Sequence, residues 1–411
     1  MKRFLAGLGT AWTVVGLTLL AMVLINQLLV WFLPSPDQGA LVVDGSVAPD
    51  NSVADAYEDA YWRKDYWAEH GEARGTEWRS YVYWRRAPFQ GEMINVDLHG
   101  FRNGWQNADA KADAPQVWVF GGSLVWGTGV PDAFTLPSQL AFLYAKKDQE
   151  HPVRVLNFGE SGYVSGQSRL AFAQALACGG QKPALVIFVD GANDVFAAFQ
   201  AERAGIPQNE QRRATEFNSS QRPGTLLSAW FNRLDGVEHL RAWGAAAPNL
   251  LPVGDLAQSV VRSYLAYVDQ MQALADANGI ATAFVWQPHL FAKQQLSRDE
   301  QAIVNASFRR HRDLQLAADQ SLAAALAESP RSLINLAALF ADEPQPRFSD
   351  FVHVDDQGLE TLARAIFAEL PEILPVDDES AAESADTKTT NEPPSPLATS
   401  CQDLPVVEIS E

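Results

Sequence analysis

Four short apolar runs, each closed by small or polar residues, constrain this chain more than any other feature. They are Val117 to Phe120 before Gly121-Gly122, and Val153 to Leu156 before Asn157-Phe158-Gly159. Ala184 to Val189 before Asp190-Gly191 and Ala281 to Trp286 before Gln287-Pro288 complete the set. A weaker fifth run is Leu333 to Leu336. Between the third and fourth, Val261, Leu265, Val268, Met271 and Ala275 recur at helical spacing, and Asn278-Gly279 supply a stop. Near-continuous apolar strands alternating with amphipathic helices predict an α/β domain whose parallel sheet is covered on both faces. Ligands of such sheets sit beyond the carboxyl ends of the strands. The residues closing each run are therefore where chemistry is expected.

The chain opens differently. After Lys2 and Arg3, residues Phe4 to Leu33 carry no charge, and Pro34, Pro36 and Asp37 end the run. Spanning hydrocarbon takes roughly 20 helical residues, and this run is longer. Val30-Trp31-Phe32-Leu33-Pro34 offers no small-x-small cleavage site, so an uncleaved single-pass anchor over 1–34 is expected rather than a removed signal peptide. The basic pair should stay in the cytoplasm and the remainder lie outside, in the periplasm if the cell is Gram-negative.

Residues 35–115 then read as a tether followed by an aromatic-rich segment holding Tyr61, Trp62, Tyr66, Trp67, Trp78, Tyr81, Tyr83, Trp84 and Phe89. Its rings either pack on the main core, the favoured reading, or stack on sugars. The main domain spans 116–375, interrupted by a polar insertion over about 200–251. From 376 to 411 the chain is Ser/Thr/Pro/Glu-rich, with nine acidic residues and one lysine, and is expected to be disordered. That tail supplies much of the net charge of −19, which disfavours generic nucleic-acid binding. Cys178 and Cys401 form no CxxC and no disulfide framework.

Four constellations fall at element boundaries. Gly121-Gly122-Ser123 puts a hydroxyl on a tight turn, where a base can activate it. Gly159 can offer a backbone N–H to an oxyanion, and Asn193, in Gly191-Ala192-Asn193-Asp194, a side-chain amide. Asp350-Phe351-Val352-His353 supplies a histidine with a carboxylate three residues away, able to hold its other nitrogen. Asp355 or Asp356 caps the last helix. Each alone has a plain structural alternative, a capped helix or a glycine-terminated strand. Together, in this order, they resemble the SGNH hydrolases, also called the GDSL esterase/lipase superfamily.

The resemblance covers about Gln116 to Leu370. It implies a three-layer α/β/α flavodoxin-like fold with a parallel five-stranded sheet. It further implies Ser123 as nucleophile, Asp350 and His353 as its triad partners, and an oxyanion hole from Ser123, Gly159 and Asn193. Gly122 departs from the family's usual Gly-Asp-Ser, as many of its branches do. The segment Ile94 to Arg102 looks like the lead-in of bacterial membrane-anchored members.

The activity so implied is ester hydrolysis through an acyl-enzyme, on extracytoplasmic carbohydrate or lipid, with no metal and no organic cofactor. An O-acyltransferase working with a polysaccharide-assembly or membrane acyl-carrier partner is the alternative chemistry. A non-catalytic glycan- or partner-binding ectodomain is the alternative class. A nucleotide site is disfavoured, since neither GxGxxG nor Gly-Lys-Ser/Thr is present. His289, near the fourth run, reads as a structural loop residue at the same edge. Asp190 and Asp194 read as caps or hydrogen-bond organisers.

Overall fold

The computed structural model describes residues 2–32, 55–57, 60–178, 180–220 and 250–371. The tether, most of the insertion and the acidic tail expected from the sequence lie outside these. By its internal contacts the chain divides into two units, residues 1–47 with 209–251 and residues 48–208 with 252–411.

In the first unit, the helix Lys2–Phe32 contains a stretch, Trp12–Phe32, long and apolar enough to cross a membrane. Trp12, Leu17, Val23 and Trp31 expose their side chains instead of building a core. The helix Glu210–Ser220 belongs to the same unit.

The second unit holds nine strands among its described residues. Two small antiparallel pairs come first: β1 (Thr76–Arg79) with β2 (Tyr83–Arg86), and β3 (Phe89–Gln90) with β4 (Asn95–Val96). The main sheet comprises β5 (Gln116–Gly121), β6 (Arg154–Asn157), β7 (Leu185–Asp190), β8 (Ala281–Trp286) and β9 (Leu333–Asn335). All neighbours are parallel, in the order β6-β5-β7-β8-β9. Counted along the chain this is 2-1-3-4-5, the flavodoxin-like doubly wound order.

Alternation along the strands divides two cores. On one face Phe158, Phe120, Phe188 and Phe284 stack in sequence across the sheet, with centroids 4.5, 5.4 and 5.3 Å apart. Phe172, from the helix Ser165–Ala177, meets this row edge-on. On the other face Val117, Val119, Val155, Ile187, Val189 and Val285 pack with Leu136 and Leu140 of the helix Leu136–Lys147. Leu359, Leu362 and Ile366 of the last helix, Asp356–Glu369, close this side. Burying each such side chain contributes about 1.5–3 kcal/mol. Asp355, rather than Asp356, caps the last helix, its Oδ1 accepting from the Gly358 N–H at 2.6 Å.

The aromatic segment divides in two. Tyr57, Trp62 and Tyr66 are buried in the second core, with Trp62 stacked on Phe134. Trp78 and Tyr81 remain 69% and 73% exposed. Arg102 ties the segment to the turn after Ser123: it pairs with Asp132 at 2.7 Å and donates to the carbonyls of Gly127 and Val130.

Candidate active site

At the carboxyl end of β5 the chain turns at Gly121-Gly122 into the short helix Ser123–Trp126. A Cβ on Gly122 would collide with Asn193 Nδ2, so glycine is what lets the amide approach the serine turn. The Ser123 hydroxyl lies 2.6 Å from His353 Nε2, and His353 Nδ1 lies 2.5 Å from Asp350 Oδ2. The carboxylate on Nδ1 sets the proton there and leaves Nε2 as the acceptor for the serine proton. Asp350 is itself held, since its Oδ1 accepts from the backbone N–H groups of Val352 and His353 at 2.8 and 2.7 Å. Burial pulls the Asp350 pKa upward. The His353 charge, its ring hydrogen bond and these two N–H groups outweigh that pull and hold it below the ordinary carboxylate value. The histidine side chain is 14% exposed, enough to meet a substrate.

A second set of contacts fixes the loop that carries Asp350 and His353. Glu300, fully buried, accepts from Lys293 Nζ at 2.7 Å and from the N–H groups of Arg347 and Phe348. The loop then doubles back, with the Ser349 N–H donating to the His353 carbonyl at 3.0 Å.

Opposite the base, at the ends of β6 and β7, lie the groups expected to receive an oxyanion. Asn193 Oδ1 accepts from Gln208 Nε2 at 3.1 Å, and Asn193 Nδ2 donates to the Tyr163 carbonyl at 2.8 Å. The buried Gln208 thereby orients the amide with its nitrogen toward Gly122. Sequence reasoning missed Gln208, which lies in the insertion and matches no motif.

Gly159 does not take the expected place. Its N–H donates to Asn157 Oδ1 at 2.9 Å, and a Cβ there would collide with the Val125–Trp126 backbone. It is a packing glycine beneath the serine helix, with its donor already satisfied. Three residues on, Gly162 adopts φ +76°, a conformation that favours glycine. No acceptor faces its N–H among the described residues, nor that of Ser123. A methyl group on Gly162 would lie 3.4 Å from Gln208 Oε1, which places this N–H beside the group that orients Asn193.

Asp194 accepts from the N–H and hydroxyl of Ser165, and Asp190 from the hydroxyl of Ser168. Burial raises both carboxyls, Asp194 to about 6 and Asp190 well above its ordinary value. They organise the loop ends from behind and do not reach the serine–histidine pair. His289 bonds Asp319 at 2.7 Å, away from Ser123.

A serine in hydrogen-bonded series with histidine and aspartate, at the carboxyl edge of a parallel sheet, can deliver an alkoxide-like nucleophile to a carbonyl. The chain is similar in structure to an α/β hydrolase, LAE5, from the metagenome of Lake Arreo: 13% identity, TM-score 0.36, covering 63% of this chain and 96% of that one. It is also similar to a lipolytic G-D-S-L protein of Veillonella parvula, with 13% identity and TM-score 0.35, over 62% and 97% of the two chains. Axe2, an acetylxylan esterase of Geobacillus stearothermophilus, gives 14% identity and TM-score 0.36 over 64% and 97%. No protein-family model and no curated protein matches the sequence.

Proposed function

We propose that the protein is a serine esterase of the SGNH type, anchored by its N-terminal helix and acting outside the cytoplasm. The observation that carries this reading is the continuous Ser123–His353–Asp350 relay, at 2.6 and 2.5 Å. Ser123 Oγ attacks the ester carbonyl carbon while its proton passes to His353 Nε2. The carbonyl π electrons move onto oxygen, and the N–H groups of Ser123 and Gly162 with the Asn193 amide receive that charge. Collapse expels the alcohol, which takes the proton from His353. Water, deprotonated by the same nitrogen, then releases the acid and restores the serine. Asp350 keeps the imidazole in the tautomer that both steps need and stabilises its positive charge.

The extracytoplasmic placement is supported by the apolar helix behind Lys2 and Arg3. Release of p-nitrophenol from p-nitrophenyl acetate by the detergent-solubilised chain tests the reading. Turnover that disappears in Ser123→Ala supports it; turnover that persists there overturns it. No turnover by the parent chain, with acetyl transfer appearing only when a donor and sugar acceptor are supplied, would assign an O-acyltransferase instead.

A further inference from the structure

The hairpin β1–β2 lies outside the catalytic relay yet carries an unusual row of rings. Trp78 pairs with Trp84 and Arg79 with Tyr83 across the strands. In a regular strand, neighbours such as Tyr83 and Trp84 would point to opposite faces. Here Tyr83 has φ +75°, a left-handed conformation that strains any residue with a Cβ. With that backbone, the rings of Tyr83 and Trp84 lie 21° from parallel at 6.4 Å. Trp78 adds a third ring, 5.5 Å from Tyr83 and tilted by 32°. The strain does not serve a core, for Trp78 is 69% exposed and Tyr83 and Trp84 are half-buried.

The row also has a direction. Its inner ring, Trp84, donates Nε1–H to the Ser161 carbonyl at 2.9 Å, and its carbonyl accepts from the Tyr163 hydroxyl. A methyl group on the intervening Gly162 would lie 3.4 Å from Trp84 Cζ2. The row therefore runs from solvent to the glycine whose N–H is open beside Gln208 and Asn193.

We propose that Trp78, Tyr83 and Trp84 form a glycan subsite that carries the pyranose rings of an O-acylated polysaccharide toward Ser123. The inference rests on the esterase reading and names its substrate class. Pyranose rings present apolar C–H faces to aromatic faces and keep their hydroxyls at the edge. A membrane wedge would bring aliphatic side chains among its rings, and the strands of this hairpin carry none.

The test uses the full chain in detergent micelles. With Ser123→Ala, O-acetylated xylohexaose, mannohexaose and N-acetylchitohexaose are titrated against tryptophan fluorescence. At least one should bind, and adding Trp78→Ala should weaken that binding by about tenfold or more, with Trp78→Phe recovering most of it. With Ser123 intact, Trp78→Ala should lower kcat/KM for the bound oligosaccharide relative to that for p-nitrophenyl acetate, mainly through KM. An unchanged melting temperature verifies that the exposed indole is not part of the fold. Binding of none of the three sugars overturns the inference, and so does equal affinity with and without Trp78. Loss of partitioning onto phosphatidylglycerol vesicles in Trp78→Ala, with sugar binding intact, overturns it in favour of a membrane contact. The binding arm uses protein without its nucleophile, so its outcome is separate from that of the esterase reading, which falls if Ser123→Ala keeps turnover.

Discussion

Two histidine–aspartate pairs stand near the same edge of the sheet, and they are built for different work. His353 has both nitrogens engaged, Nδ1 by Asp350 and Nε2 by Ser123, and its side chain reaches solvent. His289 has no side-chain exposure: Nε2 meets Asp319, and Nδ1 has no partner among the described residues. Asp319 also accepts from the indole N–H of Trp286 at 2.9 Å, so it braces the end of β8 against the helix Arg309–Glu328. A carboxylate beside an imidazole is thus not enough to make a base. The second nitrogen must meet a hydroxyl in a place a substrate can enter.

The largest effects should fall on the first pair. Ser123→Ala and Asp350→Asn should each lower kcat for p-nitrophenyl acetate on the order of 10⁴-fold, the second by upsetting the tautomer while the melting temperature stays near the parent value. Equal turnover in Asp350→Asn would break the contrast between the pairs. Asn193→Ala should cost about 10²–10³-fold in kcat, the usual loss for one oxyanion donor. Gln208→Ala leaves the amide present but free to rotate, so a smaller loss, roughly tenfold, is expected, and Gln208→Glu, whose carboxylate accepts and cannot donate to Asn193 Oδ1, should not restore it. A kcat unchanged in Gln208→Ala would show that Asn193 needs no external orientation.

On the second pair the sign is different. His289→Phe removes one partner of Asp319 and should lower stability by about 1.5–3 kcal/mol, read by urea unfolding, while kcat per folded molecule stays near that of the parent. A larger loss in kcat than in stability would move His289 into the catalytic apparatus.

The last effect is a pH dependence. Burial holds His70 and His311 near pKa 3 against an ordinary value of 6.5, with nearby Arg86 adding to it for His70 and His289 for His311. The folded state therefore binds fewer protons than the unfolded chain between those values. The contribution of each is full above about pH 6.5 and is lost as pH falls toward 3. The melting temperature should drop across that window, and His311→Phe, surrounded by Phe196, Phe199, Phe291 and Phe351, should flatten the drop. An unchanged slope in that variant would mean that His311 takes up its proton without opening the core.

Much of this architecture was readable without coordinates, because it depends on short-range pattern. Continuous apolar runs place β5, β7 and β8 to within a residue, since strands buried on both faces have no polar side to interrupt them. Ser123 and Asn193 stood out because residues that close parallel strands share one edge of the sheet, and Asp350 and His353 because a carboxylate three residues from a histidine can hold its ring. The Asn157–Gly162 turn shows the limit. It holds two glycines, and only the folded chain distinguishes them: Asn157 bends back to occupy the N–H of Gly159, while that of Gly162 stays open. The same holds for Gln208, which acts on Asn193 from 15 residues away, and for the Trp78–Tyr83–Trp84 row, which depends on one positive φ. Local sequence determined which strands form and which reactive groups end them, through periodicity and steric preference. Tertiary structure alone decided which donors remain unspent and which rings face solvent, because both depend on what the rest of the chain brings within hydrogen-bonding distance.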